Sequence, residues 1–258
     1  MATKSVLNGT VATAPPGQMG FDADEPISAD AAAAFAAEGF VFCLRYLSRS
    51  TPNAAGDLSA AEAAGILGAG LALMPVQHVS RAGWIPSVAI GQQYGAAAVA
   101  NAQAVGFPPG VNVWVDLEGV APGTPADAAI GFCNAWFQVV SAAGYLPGLY
   151  VGHAHVLDSE QLFWDLKCKS YWRAGGETAD VDQRGYQMVQ RIPGGKIADI
   201  GYDLDVTRND ALGGAVTWLA PMTAAVRRGA RTVRPGKTAK RAARKAAKTT
   251  ASKVRRRG

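Results

Sequence analysis

Three acidic pairs, each with one residue between its members, are the part of this sequence best suited to chemistry. They are Asp22 and Asp24, Asp116 and Glu118, and Asp203 and Asp205. Each pair follows a short apolar segment typical of a β-strand, and residues i and i+2 of a strand share one face. Burying a carboxylate costs free energy unless it is paired with another group or serves a function. The pattern therefore predicts an active site where the strand ends meet. Asp24 and Asp205 also suit helix caps or turns, the simpler interpretation of those two.

Strand-like and helix-like segments alternate between residues 17 and 219, the pattern of a parallel sheet with helical crossovers. The sequence predicts strands over residues 18–22, 40–46, 71–77, 111–117, 147–151, 170–173, 185–190 and 200–204. It predicts helices over 28–38, 59–69, 89–105, 125–143 and 156–167, with Ser28, Ser59 and Thr124 as N-caps. No glycine-rich phosphate motif follows the first strand, which favours a closed barrel over an open doubly wound sheet.

We therefore expect an α/β fold, a single (β/α)8-type TIM barrel that is irregular in its C-terminal third. The last crossovers are short, which is the source of the irregularity. Closure of a barrel makes its first and last strands neighbours. Asp22 and Asp203 are thus expected side by side, with Asp116 and Glu118 facing them.

The charge of the chain is divided between two regions. Residues 227–258 contain 14 Lys or Arg and no acid, whereas residues 1–226 contain 11 basic and 20 acidic residues. The C-terminal segment has too few apolar side chains to offset the entropy cost of ordering. We expect residues 1–16 to be a flexible leader, 17–220 to form the barrel, and 221–258 to be a disordered basic tail. A polyanion or nucleic acid is the expected partner of the tail.

Six short motifs resemble those of a known family. They are Gly20-Phe21-Asp22, Val115-Asp116-Leu117-Glu118, Gly148-Leu149-Tyr150, Tyr171-Trp172-Arg173-Ala174, Tyr186-Gln187 and Tyr202-Asp203-Leu204-Asp205. In this order they resemble the glycoside-hydrolase-like barrel domain of unknown function 1906, itself similar to the family 25 glycoside hydrolases, the muramidases of bacteria and phages. Two positions depart from the muramidase pattern, since Asp205 stands where Asn is usual and Tyr186 where Trp is usual.

The resemblance implies a role for each acid at the expected mouth of the barrel. Glu118 resembles the general acid that protonates the glycosidic oxygen. Asp116 resembles the nucleophile, or the group that orients a sugar N-acetyl in a substrate-assisted route. Asp22 and Asp203 would hold position and charge. The implied substrate is a β-linked amino-sugar polymer such as peptidoglycan, and no cofactor or metal is expected.

Aromatic residues at or just beyond strand ends are candidates for stacking on sugar rings. Tyr150 and Trp172 lie within the family motifs and are favoured, and Tyr46 and Tyr186 are further candidates. Gln187 is expected to hydrogen-bond a sugar hydroxyl.

The sequence predicts neither a membrane-spanning segment nor a conventional secretory signal. No stretch is long and apolar enough to cross a bilayer, and the first 18 residues contain one Lys and no continuous apolar segment. We expect synthesis in the cytoplasm, with non-classical export or phage-type delivery to the cell wall. Cys43, Cys133 and Cys168 are odd in number and widely spaced, which favours buried free thiols.

Three other interpretations stay open at this point. His78, His153 and His155 follow predicted strands, so with the carboxylates they could form a metal-dependent hydrolase, although no HExxH pattern accompanies them. The barrel could bind a glycan or a protein without catalysis, because fold does not fix function. A nucleic-acid-binding function would depend on the tail alone, and the acidic body disfavours it.

Overall fold

Ten strands are present in the described part of the chain, which is residues 6–222 of a computed structural model. They are β1 (Gly9–Thr13), β2 (Met19–Ala23), β3 (Phe42–Leu47), β4 (Ala72–Gln77), β5 (Asn112–Leu117), β6 (Leu146–Val151), β7 (Ser170–Arg173), β8 (Met188–Ile197), β9 (Ile200–Thr207) and β10 (Thr217–Pro221). From β2 to β8, each strand pairs with the strand that follows it in the chain. Strand β9 pairs back with β2, which closes the ring. The fold is therefore mixed α/β around a closed eight-stranded barrel.

Strand β9 departs from the parallel arrangement that the sequence predicted. Strands β2 to β8 run parallel to one another, but β9 is antiparallel to both β8 and β2. The reason is the two-residue turn of Ala198 and Asp199, which both adopt positive φ values, 48° and 66°. Such a turn joins antiparallel neighbours, whereas parallel strands need a longer crossover. The C-terminal irregularity is thus a β-hairpin.

Four α-helices cover the outside of the first part of the barrel. They are α1 (Ala29–Ala37), α2 (Ala60–Gly68), α3 (Val88–Val105) and α4 (Ala126–Ala142), each within one residue of its predicted bounds. The hydroxyl oxygens of Ser28 and Ser59 cap α1 and α2 as predicted, each accepting a backbone N–H at 3.1 Å. Thr124 does not cap α4, because its hydroxyl donates to the Ala121 carbonyl instead.

The helix predicted over 156–167 is mostly absent. Only a π-helical turn forms, over Gln161–Asp165. Val156 has a φ of 63°, which no right-handed helix contains. The helical turn begins only after Asp158. The Gln161 N–H donates to Asp158 Oδ1 at 2.8 Å, and the Asp158 N–H donates to Gln161 Oε1 at 3.0 Å.

Residues 9–13 are ordered as a strand, so the prediction of a flexible leader is wrong for this segment. β1 pairs with β10 over its whole length, from Gly9 opposite Pro221 to Thr13 opposite Thr217, and β10 contacts β4. The partner lies some two hundred positions away, which a local pattern of Thr and Val cannot reveal. Of the tail predicted over 221–258, Pro221 belongs to β10, and residues 223–258 lie outside the described residues. Within residues 6–222, no helix has the length and apolarity to span a bilayer.

Aromatic rings fill the barrel beneath the predicted mouth. Trp114 on β5 and Trp172 on β7 are almost completely buried, and their ring centroids lie 6.0 Å apart in an edge-to-face arrangement. Trp114 precedes Asp116 by two positions, so both side chains project from the same strand face into the barrel. The two rings therefore lie in the barrel interior, below the acidic residues at the mouth.

Candidate active site

The acid pair of β5 lies at the carboxyl end of that strand. Asp116 is the penultimate residue of β5 and is 6% exposed, whereas Glu118 follows the strand and is half-buried. Across the barrel, Asp22 of β2 and Asp203 of β9 are direct partners in the antiparallel register. The structure therefore confirms the expected pairing of the first and last barrel strands at these two acids.

Gln190 of β8 connects the acids of two strands. Its Nε2 donates to Asp22 Oδ2 at 2.9 Å and to Asp203 Oδ2 at 3.3 Å. Its Oε1 accepts from the Tyr150 hydroxyl at 2.9 Å and from the Gly175 N–H at 3.3 Å. The sequence analysis missed this residue, and the available signal was a polar side chain two positions after buried Met188 on the same strand face.

Asp205 occupies the deepest position of the acidic cluster. It lies opposite Gly20 on β2, is completely buried, and accepts a 2.8 Å hydrogen bond from Trp172 Nε1 at Oδ1. Its Oδ2 has no hydrogen-bond partner within residues 6–222. The expectation of a cap or turn for Asp205 is wrong, because the antiparallel direction of β9 carries the residue into the barrel.

Burial raises the pKa of every acid in the cluster, because a carboxylate loses its hydration there. The pKa of Asp22 rises to about 6, chiefly through burial. Burial raises the pKa of Asp116 well above its usual range, with repulsion from Glu118 and Asp22 adding to the effect. Burial also raises the pKa of Glu118, while the positive potential of His153 opposes it. A raised pKa moves each carboxyl group toward its protonated form at a given pH, which is the form that a general acid needs.

Tyr46 and Trp172 each hydrogen-bond an acid of this cluster, and Tyr150 reaches the cluster through Gln190. The Tyr46 hydroxyl donates to Asp22 Oδ1 at 3.4 Å, and its ring stacks on His78 with centroids 4.5 Å apart. Tyr150 reaches Gln190 as described, and its ring packs edge-to-face on Trp172 at 4.4 Å. Trp172 lies beneath Tyr150 and donates to Asp205, so it supports the site from below rather than presenting a ring face to solvent.

Gln187 and Tyr186 are not brought to the acidic cluster. The Gln187 amide donates to the Lys169 carbonyl at 2.9 Å and accepts from the Tyr171 N–H at 2.6 Å, at the barrel end opposite the mouth. Tyr186 is buried, and its hydroxyl donates to the Ala179 carbonyl. Both side chains have structural partners that account for them.

The three histidines do not form a shared ligand set. His78 Nε2 lies 2.8 Å from Asp57 Oδ1, while buried His155 accepts from the Leu157 N–H at Nδ1. Within residues 6–222 there is no group of three or more His, Cys, Asp or Glu arranged to hold a metal ion. The metal-dependent alternative gains no donor set from the described residues.

Solved structures of bacterial proteins share this fold. The Tat-secreted protein Rv2525c of Mycobacterium tuberculosis, solved with L-tartrate, is 19% identical, with a TM-score of 0.56 over 75% of this chain and 96% of that one. A lysozyme from Streptomyces coelicolor is 11% identical, with a TM-score of 0.53 over 78% and 94%. A family 25 glycosyl hydrolase from Bacillus anthracis is 11% identical, with a TM-score of 0.50 over 80% and 94%. At such identities the likeness establishes the fold.

Comparison at the level of sequence gives a family. No curated protein matches the chain. The model of the Rv2525c-like, glycoside hydrolase-like domain matches residues 33–211, a span that includes Asp116, Glu118, Asp203 and Asp205. This match confirms the resemblance drawn from the sequence motifs, and the chain therefore belongs to the Rv2525c-like, glycoside hydrolase-like domain family.

Proposed function

We propose that this protein hydrolyses a β-linked amino-sugar polymer such as peptidoglycan at the mouth of the barrel, with Glu118 as the general acid. The observation that carries the proposal is the carboxyl pair at the end of β5, in which Asp116 is buried and Glu118 is half-buried with a pKa that burial raises. Such a pair supplies the two acid groups of a glycosidase. The lysozyme and family 25 folds found among its structural neighbours support this class of substrate.

Glu118 has the position and environment of a proton donor. It is the more exposed member of the pair, so a glycosidic oxygen can reach it from the mouth. Its carboxyl group lies against Gly152, where an added Cβ would come within 2.6 Å of Oε2. The absence of a side chain at residue 152 leaves room for this carboxyl orientation, and burial favours the protonated form that donates.

Asp116 is the second carboxyl group of the proposed reaction. Its Oδ1 is buried and has no hydrogen-bond partner within residues 6–222. A buried acceptor without a partner is costly, and the amide N–H of a sugar N-acetyl group would satisfy it. This arrangement favours the substrate-assisted route, in which Asp116 orients the N-acetyl oxygen for attack on the anomeric carbon while Glu118 protonates the leaving oxygen. Asp22, held by Gln190, keeps negative charge nearby.

A glycan-binding barrel without hydrolysis is the second candidate function. The observation that favours it is Asp205, a completely buried acid at a position where the muramidase pattern has Asn. A further acid changes the charge of the site on which hydrolysis depends, while the hydrogen-bonding groups that bind a sugar remain.

Domain organisation and location complete the proposal. We retain a barrel followed by a basic tail, with the boundary moved to the end of β10 at Pro221, and propose that the tail binds a polyanion, such as an anionic cell-wall polymer or nucleic acid. Export from the cytoplasm is supported by the M. tuberculosis structural neighbour, which is a Tat-secreted protein. The route of export stays a prediction.

The test is release of reducing ends from purified peptidoglycan and from chitin oligomers between about pH 4 and about pH 8, with and without EDTA. Glu118→Gln is compared with Glu38→Gln, which removes an exposed carboxylate at the end of α1 away from the mouth. Activity that disappears in Glu118→Gln alone and is unaffected by EDTA supports the proposal. Binding of oligomers without release of reducing ends supports the second candidate, and activity that EDTA abolishes contradicts both.

A further inference from the structure

A groove lies beside the candidate active site on the same rim of the barrel. A cavity of about 480 Å³ is lined by Ser48 and Arg49 after β3, by His78 after β4, and by Gln93 and Tyr94 on α3. A second cavity of about 490 Å³ shares Arg49 and Gln93 and continues along α3. We call the two cavities together the Arg49 groove.

The floor of the Arg49 groove is held by hydrogen bonds. The Ser48 hydroxyl donates to the Asp57 carboxylate and accepts from the Ala54 N–H at 2.8 Å. The Ser48 carbonyl accepts from Gln77 Nε2 at 3.0 Å and from Asn101 Nδ2 at 3.2 Å, and both of these side chains are buried. A rigid floor keeps the adjoining residue in place, which lowers the entropy cost of binding a ligand.

Arg49 brings an unpaired positive charge to this groove. Its guanidinium carbon lies 5.8 Å from the centroid of the Tyr94 ring. Within residues 6–222 no carboxylate forms an ion pair with Arg49, whereas Arg45 and Arg184 pair with acids at 2.6 and 2.5 Å. Stacking on an aromatic face leaves the N–H groups in the guanidinium plane available, and their geometry fits a carboxylate.

The groove and the acidic cluster are separated by only two side chains. His78 lines the groove and stacks on Tyr46, whose hydroxyl contacts Asp22. A polymer bound over the acids would therefore place its neighbouring substituents beside the Arg49 groove. An anionic polymer would be repelled by the acids of the mouth, and a positive charge at this point offsets that repulsion.

We propose that the Arg49 groove binds a carboxylate-bearing branch of the glycan, namely the free carboxylate of a lactyl ether on an amino sugar. The proposal rests on the proposed function for the identity of the polymer. It adds a specificity that the acids alone do not give, namely preference for a carboxylated glycan over a neutral one. The carboxylate is held by the Arg49 guanidinium, with the Gln93 amide as a second donor.

The experiment measures binding of one disaccharide in two forms. The probe is a β-1,4-linked pair of amino sugars in which one sugar carries a lactyl ether, either as the free carboxylate or as its methyl ester. Both forms are titrated by calorimetry or NMR into the full chain carrying Glu118→Gln, in about 150 mM salt to limit contributions from the basic C-terminal segment. We expect the free acid to bind roughly tenfold more tightly than the ester.

Matched variants assign that preference to the groove. In the Glu118→Gln chain, Arg49→Gln should abolish the preference for the acid, and Arg49→Lys should keep part of it because charge remains without the planar donors. Arg208→Gln removes the same charge after β9, at the opposite end of the barrel, and should leave the preference intact. Equal binding of acid and ester, binding of neither, or a preference that survives Arg49→Gln would overturn the proposal. Because Glu118 is already replaced, hydrolysis and its failure do not affect this result.

Discussion

The acid pairs of β5 and β9 have the same spacing but are arranged in opposite order along the barrel axis. On parallel β5, the first acid, Asp116, is buried and the second, Glu118, reaches the mouth. On antiparallel β9, the first acid, Asp203, is half-buried beside Asp22, and the second, Asp205, is completely buried two positions deeper. An i, i+2 pattern shows that two side chains share a face, but strand direction decides which one meets the substrate.

The surroundings of the two pairs differ accordingly. Within the described chain, Asp116 Oδ1 and Asp205 Oδ2 both lack a hydrogen-bond partner, but Asp205 lies in the barrel interior with its other oxygen bonded to Trp172, whereas Asp116 lies two positions before Glu118 at the mouth. We infer that the β5 pair performs the reaction and that the β9 pair supports it. The predictions below test this difference, beginning with the largest expected effect.

Neutralising the β5 acids should cost far more activity than neutralising the mouth-side acid of β9. We expect Asp116→Asn and Glu118→Gln each to lower kcat/KM about 10³-fold, because each removes a group that acts on the reacting atoms. Asp203→Asn should lower it only about tenfold, because Asp203 acts through Gln190 and charge. Reducing-end assays on peptidoglycan provide the measurement. An equal loss in all three variants would contradict the difference between the pairs.

A methyl group at residue 152 should disable Glu118 without unfolding the barrel. The Cβ of Gly152→Ala would lie 2.4 Å from Glu118 Cβ, so the backbone at residue 118 or 152 must shift, and the carboxyl group moves with it. We expect kcat/KM to fall about 10²-fold, the usual cost of a misplaced catalytic group. Gly68→Ala in α2 is the control, because no atom lies within 4 Å of its added Cβ. Unchanged activity in Gly152→Ala would show that Glu118 has no required position.

The burial of Asp205 predicts a stability effect that depends on pH. In the unfolded chain Asp205 ionises near its usual pKa of 3.8, but burial raises the pKa in the folded barrel well above that value. Rising pH therefore favours unfolding, and the folded state loses about 1.4 kcal/mol per pH unit between the two pKa values. Asp205→Asn removes this loss, so it should stabilise the protein near neutral pH and have no such effect below about pH 4.

Urea unfolding across that pH range measures the effect, with Asp203→Asn as the control. Burial also raises the pKa of Asp203, but this side chain is only half-buried, so its replacement should change the pH dependence less. If Asp205→Asn were destabilising at neutral pH, the inference that burial raises the pKa of Asp205 in the folded barrel would be contradicted.

The smallest effects concern the two tyrosines at the mouth. Tyr150→Phe removes a buried 2.9 Å hydrogen bond to Gln190 and should lower the free energy of unfolding by about 1 kcal/mol. Tyr46→Phe removes a 3.4 Å contact to Asp22 and should change it by less than about 0.5 kcal/mol. Thermal or urea denaturation of both variants gives the comparison, and a larger loss for Tyr46→Phe would reverse the assigned order.

Local sequence patterns were sufficient for the elements that alternate regularly. The bounds of α1 to α4 follow from Ala-rich runs, and Ser28 and Ser59 mark two of the starts. The β8 to β9 hairpin was missed because its turn, Ala198-Asp199, lacks the Asn-Gly or Asp-Gly pattern that marks a two-residue turn. Strand β1 was missed because its stability comes from a distant partner.

Within the candidate site, the sequence identified the groups that can titrate but not the groups that hold them. Asp22, Asp116, Glu118 and Asp203 were all recognised from strand-end spacing or family motifs, whereas Gln190 was not. An amide on a strand has many uses, and only the closed barrel brings Gln190 between Asp22 and Asp203. For Gln187 the motif predicted a contact with a sugar. In the structure its amide instead hydrogen-bonds the backbone of Lys169 and Tyr171, at the end of the barrel opposite the mouth.

The sequence by itself determined the class of fold, the family motifs and the acidic residues at the strand ends, because periodicity and side-chain chemistry are local properties. The tertiary structure alone decided the direction of β9, the depth of Asp205 and the closeness of the Arg49 groove to the acids. These depend on which strands pair and in which direction, and that choice is made by a short turn and by barrel closure between residues far apart in the chain.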